Sequence, residues 1–237
     1  MPSHDESKAA GKIEFYGGYE VYDENGIDLT TLRRNLTLAL EDRFDNNARA
    51  AACFAVLRKS AAAQSPSTPN PRLFMLDIAA LLRTLVTYKV EFVVIGGVAM
   101  IAHGSNHATV DVDICYNRTP GNLAAVSAVL NSLHAYLRGV PKGLSFKTDV
   151  PTLQAGLNFT LETDSGDLDI LGEVSGVGDY AQALVHSEER DLYCCKVRIL
   201  SLDGLIAAKK AAARNKDKSH LLELEALKKL RDADPLP

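Results

Sequence analysis

The sequence predicts an α/β (α+β) fold, a mixed β-sheet flanked by helices, preceded by a short and mainly helical N-terminal arm. Three observations carry that reading. Short β-branched or alternating runs recur along the chain, the period of buried or half-buried strands. Stretches with helical spacing lie between and after them, the pattern of a sheet with crossover helices. One sharp change of composition, Ser-Ala-Ala-Ala-Gln-Ser-Pro-Ser-Thr-Pro-Asn-Pro over residues 60–71, reads as a linker because its prolines remove backbone donors and it offers no apolar face. The chain therefore divides into an arm at 1–59, a linker at 60–71 and a main domain at 72–237.

In the arm, the aromatic, glycine-rich stretch from Ile13 to Tyr22 suggests a short hairpin. Asp28 can cap a helix whose apolar positions include Leu29, Leu32, Leu36 and Leu40. A second helical stretch places Ala48, Ala52, Cys53, Val56 and Leu57 on one face. A unit this small with one amphipathic surface has to dock, either on the main domain or on a partner subunit. A third reading makes it a built-in inhibitor lying over the site.

In the main domain, Leu73 to Tyr88 has helical spacing through Leu76, Ala80, Leu81 and Leu85. Glu91 to Ile95 is a buried strand, broken by Gly96-Gly97, and Val98 to His103 begins a helix. Val110 to Tyr116 alternates Val110, Val112 and Ile114 against Asp111, Asp113 and Cys115. Leu123 to Leu137 reads as helix. Leu157 to Leu161 and Asp167 to Leu171 read as a strand pair joined at the Asp164-Ser165-Gly166-Asp167 turn signal. Tyr193 to Leu200 gives a further strand, and Leu202 to Leu230 two helices parted near Asn215.

Composition excludes several classes. With 46% hydrophobic and 24% charged residues the chain is neither globally disordered nor fibrous. A net charge of −4 argues against a generally basic nucleic-acid coat and leaves room for a local patch. Cys53, Cys115, Cys194 and Cys195 make no metal-type spacing and no disulfide framework, which fits a reducing cytoplasm. The polar, acidic start is unlike a signal peptide. The longest apolar stretch, Phe92 to Ala102, is far below the roughly 20 residues of a spanning helix. The expectation is a cytoplasmic protein with no membrane partner.

The chemistry-bearing residues are Gly96-Gly97, Asp111-Val112-Asp113 and Asp169. Asp111 and Asp113, two apart on a strand, project from the same face. Carboxylates held that close repel unless a cation lies between them, and Mg²⁺ (or Mn²⁺) with oxygen ligands relieves the repulsion. Asp167 and Asp169 face together while Leu168 and Ile170 face away, so a third carboxylate can join the pair if the strands are neighbours. Aspartates at this spacing also mark ordinary solvated faces. A Gly-Gly turn can cradle a phosphate or merely turn the chain. Lys209, Lys210, Arg214, Lys216 and Lys218 read either as an exposed charged helix, with Lys209 and Lys216 on one face, or as a contact for a phosphate-bearing acceptor. His103, on the short helix after Gly-Gly, either packs or faces a nucleotide.

The order of these features resembles the polymerase-beta-like nucleotidyltransferase superfamily: Gly-Gly before a helix, Asp-x-Asp on the next strand, and a lone carboxylate on a later one. Residues Phe92 to Gly104 followed by Thr109-Val-Asp-Val-Asp-Ile114 look like the minimal nucleotidyltransferases of the abortive-infection toxin type. Leu205-Ile-Ala-Ala-Lys209 through Arg214-Asn-Lys216-Asp217 is similar to their Leu-Ile-x-x-Lys…Arg-x-Lys-Asp helix. The resemblance spans Leu73 to Leu230 and implies a nucleotidyltransferase fold. Gly96 and Gly97 would then hold the triphosphate of an NTP such as ATP. Asp111, Asp113 and Asp169 would bind metal, with Asp169 also taking the proton of the attacking hydroxyl. Lys209 would reach a phosphate or the acceptor. The implied reaction moves an NMP to a tRNA or protein hydroxyl and releases pyrophosphate, in a toxin-antitoxin setting with an antitoxin as partner. The alternative is an inactive nucleotidyltransferase-fold module that senses nucleotide or binds a partner. Such proteins often carry Arg two residues before the Thr, and here that position is His107, which lacks the bidentate fork.

Overall fold

A computed structural model of the protein describes residues 20–49, 76–141, 146–214 and 217–233. The linker at 60–71, most of the proposed 13–22 hairpin, and the arm's Ala52, Cys53, Val56 and Leu57 lie outside the described residues. Helix α1 (Leu29–Thr37) begins where Asp28 accepts hydrogen bonds from the Thr30 and Thr31 amides, satisfying donors that the first turn leaves open. Helix α2 occupies residues 40–49, so Leu40 opens the second helix rather than closing the first.

The body follows as α3 (Ile78–Thr87), β1 (Phe92–Ile95), α4 (Gly96–Ala102), β2 (Asp111–Tyr116), α5 (Pro120–Ser132), β3 (Tyr136–Leu137), α6 (Val150–Ala155), β4 (Asn158–Thr163) and β5 (Gly166–Leu171). It continues with β6 (Glu173–Val174), β7 (Gly178–Asp179), α7 (Tyr180–Val185), β8 (Ser187–Leu192), β9 (Cys195–Leu200), α8 (Leu202–Ala212) and α9 (Asp217–Ala233). A mixed sheet runs in the order β3-β4-β5-β2-β1-β9-β8, with β2–β5 and β1–β9 parallel and the other neighbours antiparallel. Helices flank it. β1 is buried along its whole length, as its unbroken apolar run requires at the sheet centre. Val112 and Ile114 of β2 and Leu168 and Ile170 of β5 are buried on one face, which turns the intervening aspartates to the other.

The described arm packs on this body. Leu29, Leu32 and Phe44 join the apolar core. Asn35 donates to Gly104 O (3.1 Å), and Arg43 donates to Ala102 O (2.6 Å) and Leu36 O (3.1 Å). No helix among the described residues is long and apolar enough to cross a membrane.

Several sequence expectations shift. Helix α5 stops at Ser132 instead of running to Leu137, because His134 adopts a left-handed φ of 49° and the Ala135 amide closes back on Leu130 O. Residues 136–137 then pair with β4. Val110 precedes the strand and is 68% exposed, so the alternation holds only from Asp111 onward. β8 is a polar edge strand, Ser-Glu-Glu-Arg-Asp-Leu, with no apolar alternation to mark it; a tight turn at Tyr193 and Cys194, both at positive φ, joins it to β9. Helix α8 ends at Ala212, with Ala213 at φ 48°, so the helical spacing that set Lys209 and Lys216 on one face does not extend past that point. Lys216 itself is outside the described residues.

Candidate metal and nucleotide site

The register of β5 against β2 sets the site. Asp111 lies opposite Asp167, and Asp113 opposite Asp169, with all four carboxylates on one face of the sheet. Oxygens of Asp111, Asp113 and Asp169 lie within 4.8 Å of one another. The three acidic residues singled out in the sequence thus converge, although 55 residues lie between Asp113 and Asp169.

The electrostatics record the crowding. Burial, then the charges of Asp111 and Asp169, push the Asp113 carboxyl up to about 7, against a bond from the Gly97 backbone and the charge of Lys209. Burial also raises Asp169, with Asp111 and Asp167 adding to it and Arg138 opposing. Thr109 supports the rim of the site, its hydroxyl donating to Asp111 Oδ1 at 3.1 Å.

Gly96 and Gly97 open α4, directly beneath Asp113. A β-carbon on Gly97 would lie 2.3 Å from Thr109 Oγ1, so close packing with Thr109 is one reason for glycine there. The Gly97 amide is also engaged by the Asp113 carboxylate. Lys209, on α8, packs near enough for its charge to act on Asp113, but its Nζ is bonded to Asp217 Oδ1 at 2.8 Å. Asp217, only 4% exposed, is held below the usual carboxylate range: burial works the other way, and the bond and charge of Lys209 outweigh it. The His107 ring sits against His220, centroids 3.8 Å apart, while His103 lies in the core with Nε2 2.8 Å from Leu200 O. His103 therefore packs.

Two participants carry no role that the sequence alone defines. Arg138, just after β3, places Nη1 2.8 Å from Asp167 Oδ2 and 3.8 Å from Asp111 Oδ2, and Nη2 2.5 Å from Asp169 Oδ1. Burial alone would lower its pKa, but the bonds to Asp167 and Asp169 together raise it. Strand alternation faces Asp167 with Asp169, but its partner is not legible, because residues 133–137 continue the helical spacing of α5 with no glycine or proline to break it.

No protein-family model matches the chain, and no curated protein does. Among solved structures the chain is similar to the antibiotic-resistance factor ANT(2'')-Ia, a nucleotidyltransferase, with a TM-score of 0.42 and 14% identity over 65% of this chain and 89% of that one. At that distance the chemistry has to be read from the side chains of this chain.

Proposed function

We propose that the protein is a divalent-metal-dependent nucleotidyltransferase that moves a nucleoside monophosphate from an NTP to an acceptor hydroxyl. The observation that carries this reading is the convergence of Asp111, Asp113 and Asp169 oxygens within 4.8 Å. The donors are all carboxylate oxygens, the set a hard cation prefers; burial pushes Asp113 up most, and the charges of Asp111 and Asp169 add a repulsion that such a cation would relieve. Mg²⁺ or Mn²⁺ held there would neutralise charge on the reacting phosphates, which is most of what phosphoryl transfer asks of a protein.

The chain's own groups divide the remaining work. Asp111 and Asp113, fixed by strand pairing, hold the site in register. Asp169, with its raised proton affinity, is the group to take the acceptor proton. The acceptor oxygen then bonds to the α-phosphorus as the bond to the pyrophosphate oxygen breaks. Gly96 and Gly97, whose missing side chains make room for Asp113 and Thr109, offer the start of α4 to the triphosphate, and Lys209 adds positive charge on that side. This chemistry belongs to residues 72–237. ATP among the NTPs, a tRNA or protein acceptor, a cytoplasmic location and an antitoxin partner complete the proposal.

The test is incubation of the full chain with each α-labelled NTP, Mg²⁺ or Mn²⁺, and total tRNA or cell lysate. Label transfer with pyrophosphate release, lost in Asp111→Asn, is the expected result. NTP binding without pyrophosphate release in every combination would favour an inactive nucleotide-sensing module. Growth inhibition on expression, again lost in Asp111→Asn, tests the toxin setting.

A further inference from the structure

Arg138 reaches the site from two strands away. Its amide donates to Thr160 O (3.0 Å), and Thr160 lies opposite Asp169, which lies opposite Asp113. One row thus runs from the residue after β3 across β4, β5 and β2 on a single face. Adjacent strands are about 4.8 Å apart, so Arg138 and Asp169 start roughly 10 Å apart and meet only because both side chains extend over β4. The guanidinium ends on Asp167 and Asp169 with a further approach to Asp111. Two of those three, Asp111 and Asp169, belong to the group placed to hold metal; Asp167 does not.

A carboxylate oxygen facing a guanidinium at 2.5 Å is not open to a divalent cation on that same side. The two cations repel each other and compete for the same negative charge. The planar fork lets Arg138 hold Asp167 and Asp169 through separate nitrogens, so it can yield one and keep the other.

Building on the metal-site reading, we infer that Arg138 is a built-in counter-ion exchanged for metal at this site. Without metal it keeps Asp169 paired and the sheet face intact. When metal enters, Arg138 gives up Asp169 and stays beside the site through Asp167. Arg138 is thus a positioning residue for Asp169 that sets how tightly the site takes metal.

Mn²⁺ binding to the full chain, followed by the EPR signal of free Mn²⁺ without nucleotide, tests this. Arg138→Gln should bind Mn²⁺ about tenfold tighter than wild type, a coupling of ordinary size for two competing ligands. Metal-free Arg138→Gln should also melt below wild type, with Mn²⁺ closing the gap. Should that variant fail to fold, the wild type still decides: the Arg138 side-chain NMR signal should shift as Mg²⁺ is added, and a signal indifferent to saturating Mg²⁺ overturns the exchange. Unchanged or weaker Mn²⁺ affinity in a folded Arg138→Gln, alongside wild-type binding that Asp111→Asn abolishes, overturns the exchange alone. No Mn²⁺ binding by either protein overturns the exchange and the metal site together.

Discussion

Asp113 occupies the space that a side chain on Gly96 would need: a β-carbon built there would lie 2.0 Å from Asp113 Oδ2. Gly96 also has φ 61°, a conformation that disfavours any side chain by about 1–2 kcal/mol. The first glycine of the pair is therefore a seat for the half-buried carboxylate. Gly96→Ala should destabilise the protein by about 2 kcal/mol or more, strain and clash together. Moving Asp113 should also lower transfer activity more than tenfold, since a misplacement of about 1 Å can cost 10²-fold. Thermal melts and label transfer measured on one preparation check both, and near wild-type values would show that the turn tolerates a side chain.

Asp113 works against stability when no metal is bound. Its pKa rises from 3.8 to about 7 on folding, so the folded state holds the proton more tightly than the unfolded state. Stability of the metal-free protein is then highest below about pH 4 as far as this group is concerned, and is lost as pH rises toward 7. Asp113→Asn should abolish transfer while raising the melting temperature of the metal-free protein at pH 8. Mg²⁺ should stabilise wild type and leave the variant unmoved. A variant that melts lower than wild type without metal would mean that burial and the neighbouring carboxylates do not make Asp113 a burden on the fold.

The parts of this site legible in the sequence are those fixed by strand alternation. Asp111, Asp113, Asp167 and Asp169 are set two apart between buried apolar residues, so their shared face follows from the period of two. Parallel pairing of β2 with β5 brings the two pairs together, and no local pattern states which strands will be neighbours. Arg138 is illegible for a different reason: the strand before it is two residues long, and α5 ends at Ser132 with the chain turning at His134, at positive φ and with no glycine. The Lys209–Asp217 bond is hidden in the same way, since it depends on the chain turning at Ala213 in a left-handed conformation that alanine rarely adopts.

His103 makes the stability of the fold depend on acid pH. Arg231 Nη1 lies 3.1 Å from its Nδ1, so Nδ1 accepts and Nε2 carries the proton donated to Leu200 O. Burial above all, and the Arg231 charge, push the imidazole down from 6.5 to about 4, although the bond to Leu200 favours the charged form. Glu188 adds a favourable charge nearby and Arg190 an unfavourable one. The unfolded chain therefore binds the proton first, and stability is lost as pH falls from about 6.5 toward 4. Urea melts across that range should show the decline, and His103→Gln, which removes the titrating ring, should flatten it. An equal slope in the variant would assign the acid loss to other groups.

The arm reaches the carboxylate cluster through two residues. Asn47 donates from Nδ2 to His107 O at 2.8 Å and accepts from the Thr109 amide at 3.3 Å; the Thr109 hydroxyl then holds Asp111 Oδ1. Asn47 lies on α2, before the linker, so the arm braces the loop that delivers Asp111 into β2. A hydrogen bond to a charged group is worth about 1.5–3 kcal/mol, so Thr109→Val should weaken Mn²⁺ binding by about tenfold or more. Asn47→Ala, one bond further out, should weaken it a few-fold with little change in melting temperature. If the two act as one chain, the double variant should be no worse than Thr109→Val alone, because the brace has nothing left to position. Fully additive losses would separate the arm from the site. An inhibitory arm predicts the opposite sign for Asn47→Ala, tighter binding and faster transfer, so the same titration decides between a brace and a cover.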